Sequence, residues 1–134
     1  MNKRALISIV LVVLLSFGLV LSIANAAEHK FGGLGLKVAQ LYSQETDDHI
    51  GPLVVLDVIN ETSASKSGIR TGDIITQIDG EPTKGKEFRY LILEKLRGVI
   101  GSKVEITIER SGEGAPLEFS LTRVEIDYSP KKKE

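Results

Sequence analysis

Cysteine is absent from the 134 residues, and histidine occurs only at His29 and His49. Without cysteine the chain has no disulfide framework, no thiolate metal site and no cysteine nucleophile. Ser65 and Lys66 are adjacent in the sequence, which is the wrong arrangement for a serine nucleophile and its lysine base. We therefore predict that the chain is not an enzyme and that it holds no cofactor.

A surplus of basic residues is also lacking. The chain has 17 basic and 18 acidic residues, for a formal charge of −1. The first 26 residues contain Lys3 and Arg4 but no acid, so the remainder has 15 basic and 18 acidic residues and a charge of −3. That balance does not favour a nucleic-acid surface. The tail at 127–134 is predicted to be disordered, and its three lysines at 131–133 fall short of the cluster of about four to eight that binds anionic lipid.

Residues 1–26 are predicted to be a secretory signal peptide. Lys3 and Arg4 precede an apolar run from Ala5 to Ile23. Ala24-Asn25-Ala26 then has the small-residue pattern of a cleavage site, which would leave Ala27 at the mature N-terminus, ahead of a short lead at 27–30. The run is also close to the ~20 residues that span a bilayer, so an uncleaved inner-membrane anchor at residues 5–23 is the alternative. In both cases we expect the rest of the chain to be exported, to the periplasm or an equivalent compartment.

Glycine is concentrated in the stretch from Phe31 to Val38, which reads FGGLGLKV. Glycines let the backbone turn tightly and leave its N–H groups uncovered. A glycine turn that opens into a strand can point backbone donors at an anion. Leu34 and Leu36 make the surroundings apolar, which favours a carboxylate that carries an apolar side chain, such as a peptide C-terminus. Glycines alone would equally fit a flexible linker.

Apolar alternation predicts the strands. One extends from about Leu36 to Tyr42, and others lie near 53–59, 74–78, 104–108 and 117–121. The 53–59 run is nearly continuous and is expected to be buried on both faces or nearly so. The apolar phase changes at Val124 and Ile126, which indicates a bulge or a strand that switches partner.

Two helices are predicted between these strands. A short one fits within residues 60–67 and ends at Gly68, and a longer one extends from Lys86 to Arg97 with a wide apolar face. Together the elements predict an α+β domain at 31–126, a small five- to six-stranded, partly open β-barrel or sandwich capped by two helices.

The polar stretch from Ser43 to Pro52 predicts a loop. Asp47, Asp48 and His49 lie in it and are potential metal ligands, but three neighbouring polar residues are more typical of a solvated loop. We therefore predict no metal site.

Three motifs occur in a set order along the chain. Leu34-Gly35-Leu36 comes first, residues 68–80 (GIRTGDIITQIDG) follow, and Leu93 to Gly98 precedes Gly101 to Val104. These stretches resemble three parts of a PDZ domain. The first resembles its carboxylate-binding loop, the second its most recognisable segment, and the third its second helix and the strand that follows. Because the glycine loop comes first and an extra strand comes last, the order is similar to the permuted bacterial form found in carboxy-terminal processing proteases and related envelope serine proteases.

The resemblance implies that a guest peptide adds as an antiparallel strand to the Leu36–Leu41 edge. Its carboxylate would accept hydrogen bonds from the amides of Leu34, Gly35 and Leu36, which are charge-assisted. Five further residues are implied to form the groove: Val38, Phe88, Arg89, Leu93 and Leu96. Core packing is the alternative for the leucines. Gly35→Val is expected to weaken binding while leaving folding largely intact, and Leu93→Ala to weaken apolar-ended peptides.

The function implied is that of a non-catalytic peptide-binding PDZ module of the cell envelope, an adaptor for a separate protease. Its expected partners are protein or peptide C-termini and an envelope protease, with no nucleic acid, and with a membrane only if the N-terminal segment is retained. Two alternatives stay open: a structural or assembly module whose groove takes internal loops or its own tail, and a regulatory fragment of a serine protease.

Overall fold

The computed structural model describes residues 31–45 and 49–126. The predicted signal peptide, the 27–30 lead, the basic tail, Asp47 and Asp48 lie outside these residues. Within the described ranges no helix has the length and hydrophobicity needed to cross a bilayer.

Eight strands and a few helical turns make up the described part of the chain. The strands are β1 (Phe31–Gly33), β2 (Leu36–Tyr42), β3 (Ile50–Val58), β4 (Ile74–Ile78), β5 (Glu81–Pro82), β6 (Lys103–Glu109), β7 (Leu117–Thr122) and β8 (Val124–Ile126). The helical elements are α1 (Ser63–Ser67), α2 (Phe88–Tyr90) and a π-helix (Leu91–Leu96) that continues α2 directly. The α+β fold predicted from the sequence is confirmed, with short strands added to it.

The larger sheet has six antiparallel strands. Its order is β2-β3-β4-β6-β7, and β5 pairs with the end of β4. Among the described strands β2 pairs with β3 alone, so β2 is an edge strand whose outer side is open. Asp79 and Gly80 turn the chain from β4 into β5, and both have positive φ (49° and 75°), as the tight turn expected from their sequence requires.

The core lies on one face of this sheet. Val104, Ile106 and Ile108 of β6 are buried and alternate with exposed or half-buried residues, as the apolar alternation predicts. On β3, however, Leu53 and Val55 are buried whereas Leu56 is 54% exposed. The expectation that this strand is buried on nearly both faces is therefore wrong, because the sheet has a core on one side only.

The chain leaves the large sheet at Arg123. β7 pairs with β6, whereas β8 pairs with β1 through Gly33↔Val124 and Phe31↔Ile126. The change of apolar phase at Val124 is thus a switch of strand partner, one of the two possibilities indicated by the sequence. β1 was predicted only as part of a glycine turn, because three residues are too few for a periodic pattern.

Candidate functional site

A groove of about 680 Å³ lies between β2 and the second helical segment. Leu36, Lys37 and Val38 of β2 form one side of it. Three residues of the helical segment form the other side, and further residues close the end beside the glycine loop. The helical residues are Phe88, Ile92 and Leu96, and those at the end are Phe31, Gly33, Leu34, Gly35, Ile59, Arg97 and Ile126.

The glycine loop at 34–36 is held from behind by its carbonyl groups. The Ala64 amide donates to Leu34 O (3.1 Å) and the Ile59 amide donates to Gly35 O (2.8 Å). In a trans peptide unit the N–H points opposite to the C=O. The amides of Gly35 and Leu36 are therefore directed away from these anchors, towards the groove that both residues line.

Two buried amides of this loop lack an acceptor. Leu34 is 4% exposed and Gly35 is also buried, yet no described residue accepts a hydrogen bond from either N–H. Buried N–H groups are nearly always paired in folded proteins, with protein groups or with ordered water, so these two amides are available to an acceptor from outside the described residues. A carboxylate placed there would accept both.

Gly35 has a packing role as well as a backbone role. Its φ is +82°, and a Cβ at this position would overlap Oγ1 and Cβ of Thr62. Thr62 is the N-cap of α1: its side chain accepts from the Ser65 amide, and the Ser65 hydroxyl accepts from the Thr62 amide. The expectation that Gly35→Val leaves folding largely intact is therefore wrong, because any side chain here displaces this capping box.

The π-helix determines which side chains face the groove. The Arg97 amide donates to Ile92 O (2.9 Å), a bond between residues five apart. In an α-helix, residues four apart are rotated about the helix axis by slightly more than one full turn. In the wider π-helix they are rotated by slightly less than one, so the two deviations offset each other. Phe88, Ile92 and Leu96 consequently stay on one face.

The structure brings most, but not all, of the sequence-derived site residues together. The residues that line the groove are Leu34, Gly35, Leu36, Val38, Phe88 and Leu96. Leu93 is 41% exposed, and neither it nor the exposed Arg89 lines the groove. Ile92 takes the place that the sequence assigned to Leu93. Ile92 and Leu93 both belong to the apolar face predicted for this helix, and an α-helical spacing does not indicate which of them faces the groove.

The helical segment is held along its length and at its end. Glu81 of β5 pairs with Lys95 and with the Tyr90 hydroxyl (3.2 Å) inside the segment, and with Lys86 (3.4 Å) just before it. The hydrogen bond from Lys95 outweighs desolvation and, with Tyr90, holds the pKa of Glu81 below its ordinary value. At its end Gly98 exchanges two backbone hydrogen bonds with Gly32 of β1 (3.0 and 3.1 Å). β1 therefore holds the end of the helix beside the glycine loop.

The charge in the groove is positive. Arg97 stacks on the Phe31 ring, 4.0 Å from its centroid, and Lys37 pairs with Asp57 on the outer surface (2.9 Å). Among the described residues that line the groove none carries a carboxylate. Arg97 and Phe31 were missed at the site by sequence reasoning, since nothing in their spacing shows that a helix end and a strand start meet.

No described residues form a cluster of three or more potential metal ligands. Of the potential metal ligands Asp47, Asp48 and His49, the two aspartates lie outside the described residues. The Ser65 hydroxyl is engaged in the capping box with Thr62 and donates to Thr62 O (2.8 Å), so its observed role is structural.

An open edge strand, a facing helical segment and a glycine loop between them define a small α+β domain with a strand-sized groove. The profile of the PDZ domain family matches residues 32–122. The chain belongs to the PDZ domain family.

Its relatives include carboxy-terminal processing proteases. The chain is 29% identical over 99 residues to the carboxy-terminal-processing protease of Bartonella bacilliformis, covering 74% of this chain and 21% of that protein. It is 30% identical over 103 residues to the carboxy-terminal processing protease CtpB of Bacillus subtilis, covering 77% and 20%. The chain thus spans about a fifth of the length of these relatives.

Solved structures show the same fold. The photosystem II D1 C-terminal processing protease is 27% identical, with a TM-score of 0.60 over 81% of this chain and 27% of that one. The PDZ domain of a carboxy-terminal protease from Vibrio cholerae, solved in complex with a peptide, is 22% identical, with a TM-score of 0.55 over 73% and 98%.

Proposed function

We propose that this chain is a non-catalytic peptide-binding module that captures protein C-termini by strand addition. The observation that carries the proposal is the pair of amides of the buried residues Leu34 and Gly35, which line the groove and for which no described residue is an acceptor. A terminal carboxylate is the acceptor that this arrangement fits, because charge-assisted bonds are stronger than neutral ones.

The groove also suits the rest of an extended peptide. The open side of β2 offers main-chain donors and acceptors to an antiparallel strand. With its carboxylate at the glycine loop, the peptide would place its last side chain against Leu36, Ile92 and Leu96. Burial against these aliphatic side chains favours an apolar terminal residue.

The adaptor role is part of the same proposal. This chain is matched by the PDZ family over residues 32–122, and it covers only about a fifth of the much longer proteases to which it is similar. A module that binds C-termini without cutting them would present proteins to a separate protease. We place it in the cell envelope on the strength of the leader-like residues 1–26.

The proposal is tested by titrating one apolar-ended peptide, with a free and with an amidated C-terminus, into the protein. Amidation removes the charge that the loop amides and Arg97 would face. Loss of one charge-assisted bond costs about 1.5–3 kcal/mol, so the amidated peptide is expected to bind about ten- to a hundredfold more weakly.

The control for the apolar pocket is a free-acid peptide that differs only in its last residue, which carries a charged side chain. This peptide should also bind weakly. Equal affinity for the free and amidated peptides would contradict carboxylate capture. It would favour the assembly module, in which the groove accepts an internal segment.

A further inference from the structure

Of the three β2 residues that line the groove, Lys37 alone carries a charge. Leu36 and Val38, on either side of it, pack against the core. Because successive side chains of a strand point to opposite faces, the Lys37 side chain lies on the other face of β2, where it is more than half exposed. There its ammonium pairs with Asp57 of β3 at 2.9 Å. This cation therefore lies beside the open edge to which a peptide would add.

The main-chain hydrogen bonds of β2 fix the register of a peptide on its open side. Gly35 O accepts from the Ile59 amide, just beyond β3, and the main-chain groups of successive strand residues point to opposite sides of the strand. Lys37 therefore directs its main-chain groups to β3, whereas Leu36 and Val38 direct theirs to the open side. With its carboxylate at the glycine loop, a peptide would place its last residue opposite Leu36 and its penultimate residue opposite Lys37.

Lys37 and the penultimate residue would form a non-hydrogen-bonded pair of antiparallel strands. Side chains in such a pair lie on the same face and approach more closely than in a hydrogen-bonded pair, with Cα atoms about 4.5 Å apart. Opposite charges placed directly across two strands attract, and like charges repel. An acidic penultimate side chain would thus lie next to the Lys37 ammonium, and a basic one would meet a charge of its own sign.

We propose that Lys37 makes the groove selective for peptides with Asp or Glu immediately before an apolar C-terminal residue. The inference rests on the function proposed above and names the class of ligand for that groove. The described residues that line the groove include no carboxylate to repel such a peptide. Asp57 is separated from the peptide by β2, about two strand spacings or 10 Å away, so it weakens the preference without reversing it.

A second cation of the groove lining is distinguished from Lys37 by position. Arg97 stacks on Phe31 at the end of the groove, whereas Lys37 lies on the outer face of β2. The side chain of the third residue from the peptide C-terminus would point to the helical segment, on the same face as Val38, and away from Lys37. Moving an acid from the penultimate to this third position should therefore remove the preference that Lys37 causes.

The test measures Kd at low ionic strength for three free-acid peptides that differ only in a penultimate Glu, Gln or Lys. The Glu peptide should bind most tightly and the Lys peptide most weakly, with steps of about two- to fivefold. Lys37→Glu should reverse this order. Lys103→Glu is the matched control, since it makes the same change of charge at an exposed lysine outside the groove and should leave the order unchanged. Salt at about 1 M, where the Debye length is about 3 Å, should reduce every step.

A charge-swapped double variant, Lys37→Asp with Asp57→Lys, provides a second test. It keeps an ion pair across β2 and β3 and the same net charge, but it places the acid beside the peptide. It should bind the Lys peptide more tightly than the Glu peptide. This variant decides the question if the two neighbouring acids of Lys37→Glu prevent folding, as measured by circular dichroism.

The inference and the proposed function fail in different ways. Equal affinity of the unsubstituted protein for the three peptides, an unchanged order in folded Lys37→Glu or in the swapped variant, or the same reversal in Lys103→Glu would overturn the role of Lys37 while the carboxylate site stands. Equal binding of the free-acid and amidated forms of the Glu peptide would instead mean that the proposed function itself has failed.

Discussion

Asp73 forms a buried ion pair with Arg110 that joins the start of β4 to the end of β6. Asp73 is 2% exposed, accepts two bonds from Arg110 and accepts a third from the Arg70 amide (2.8 Å). Burial by itself would raise the pKa of Asp73, but the bonds from Arg110 and Arg70 outweigh it and lower the pKa below its ordinary value of 3.8. Residues 68–80, the most recognisable stretch of the sequence, thus contribute a structural ion pair and do not line the groove.

This pairing predicts a pH-dependent loss of stability. Because the pKa is lower in the folded state, the stabilisation is complete above the ordinary pKa and disappears as the pH falls through the folded-state value. Asp73→Asn should lower the free energy of unfolding by about 3 kcal/mol at pH 7, and the difference from the unsubstituted protein should shrink below about pH 4. Denaturant unfolding at several pH values measures both.

Asp57→Asn is the matched control for that experiment. Asp57 pairs with Lys37 on the surface, where both side chains are more than half exposed, and exposed pairs contribute little. A similar, pH-independent loss in both variants would show that the Asp73 pair does not depend on its charge.

At the scale of elements, the groove depends on the change from α2 to the π-helix. That change turns Ile92 into the groove and leaves Leu93 41% exposed. Ile92→Ala should weaken an apolar-ended peptide about tenfold, since burying such a side chain contributes about 1.5–3 kcal/mol. Leu93→Ala should change the affinity by less than about twofold, contrary to the expectation from sequence. Isothermal titration of the same peptide compares them.

Ile92 also packs against the core, so the titrations belong well below the unfolding temperature of each variant. A larger loss for Leu93→Ala than for Ile92→Ala would mean that the segment winds as an α-helix when a peptide is bound.

At the scale of the whole molecule, the described domain begins at Phe31, only four residues after the predicted cleavage site. We propose that the leader is removed after Ala26, because Ala24-Asn25-Ala26 offers the small side chains that a signal peptidase requires. The intact mass of the exported protein should then correspond to a chain that starts at Ala27. A mass that includes Met1, in a membrane fraction, would establish the anchor instead.

Much of the architecture was predictable because it depends on local patterns. Alternation along β6 marked its buried face, Gly68 ended α1 with its φ of 98°, and Asp79-Gly80 turned β4 into β5. The PDZ resemblance likewise rested on short motifs whose order along the chain is itself a sequence property, and the family comparison confirmed it. The glycine loop that lines the groove could be located for the same reason, since Leu34-Gly35-Leu36 is contiguous.

By itself, the sequence determined the α+β class, the order of strands along the chain and the position of the glycine loop, since backbone preference and apolar periodicity act over a few residues. Only the tertiary structure decided that Ile92 and not Leu93 faces the groove, that a glycine at position 35 is required by Thr62, and that Arg123 lies buried beneath the end of the helical segment. Each of these depends on contacts between segments far apart in the chain, which no local pattern records. Arg123 and Leu96 are 27 residues apart, and their hydrogen bond exists only because β7 returns beneath the end of the helix.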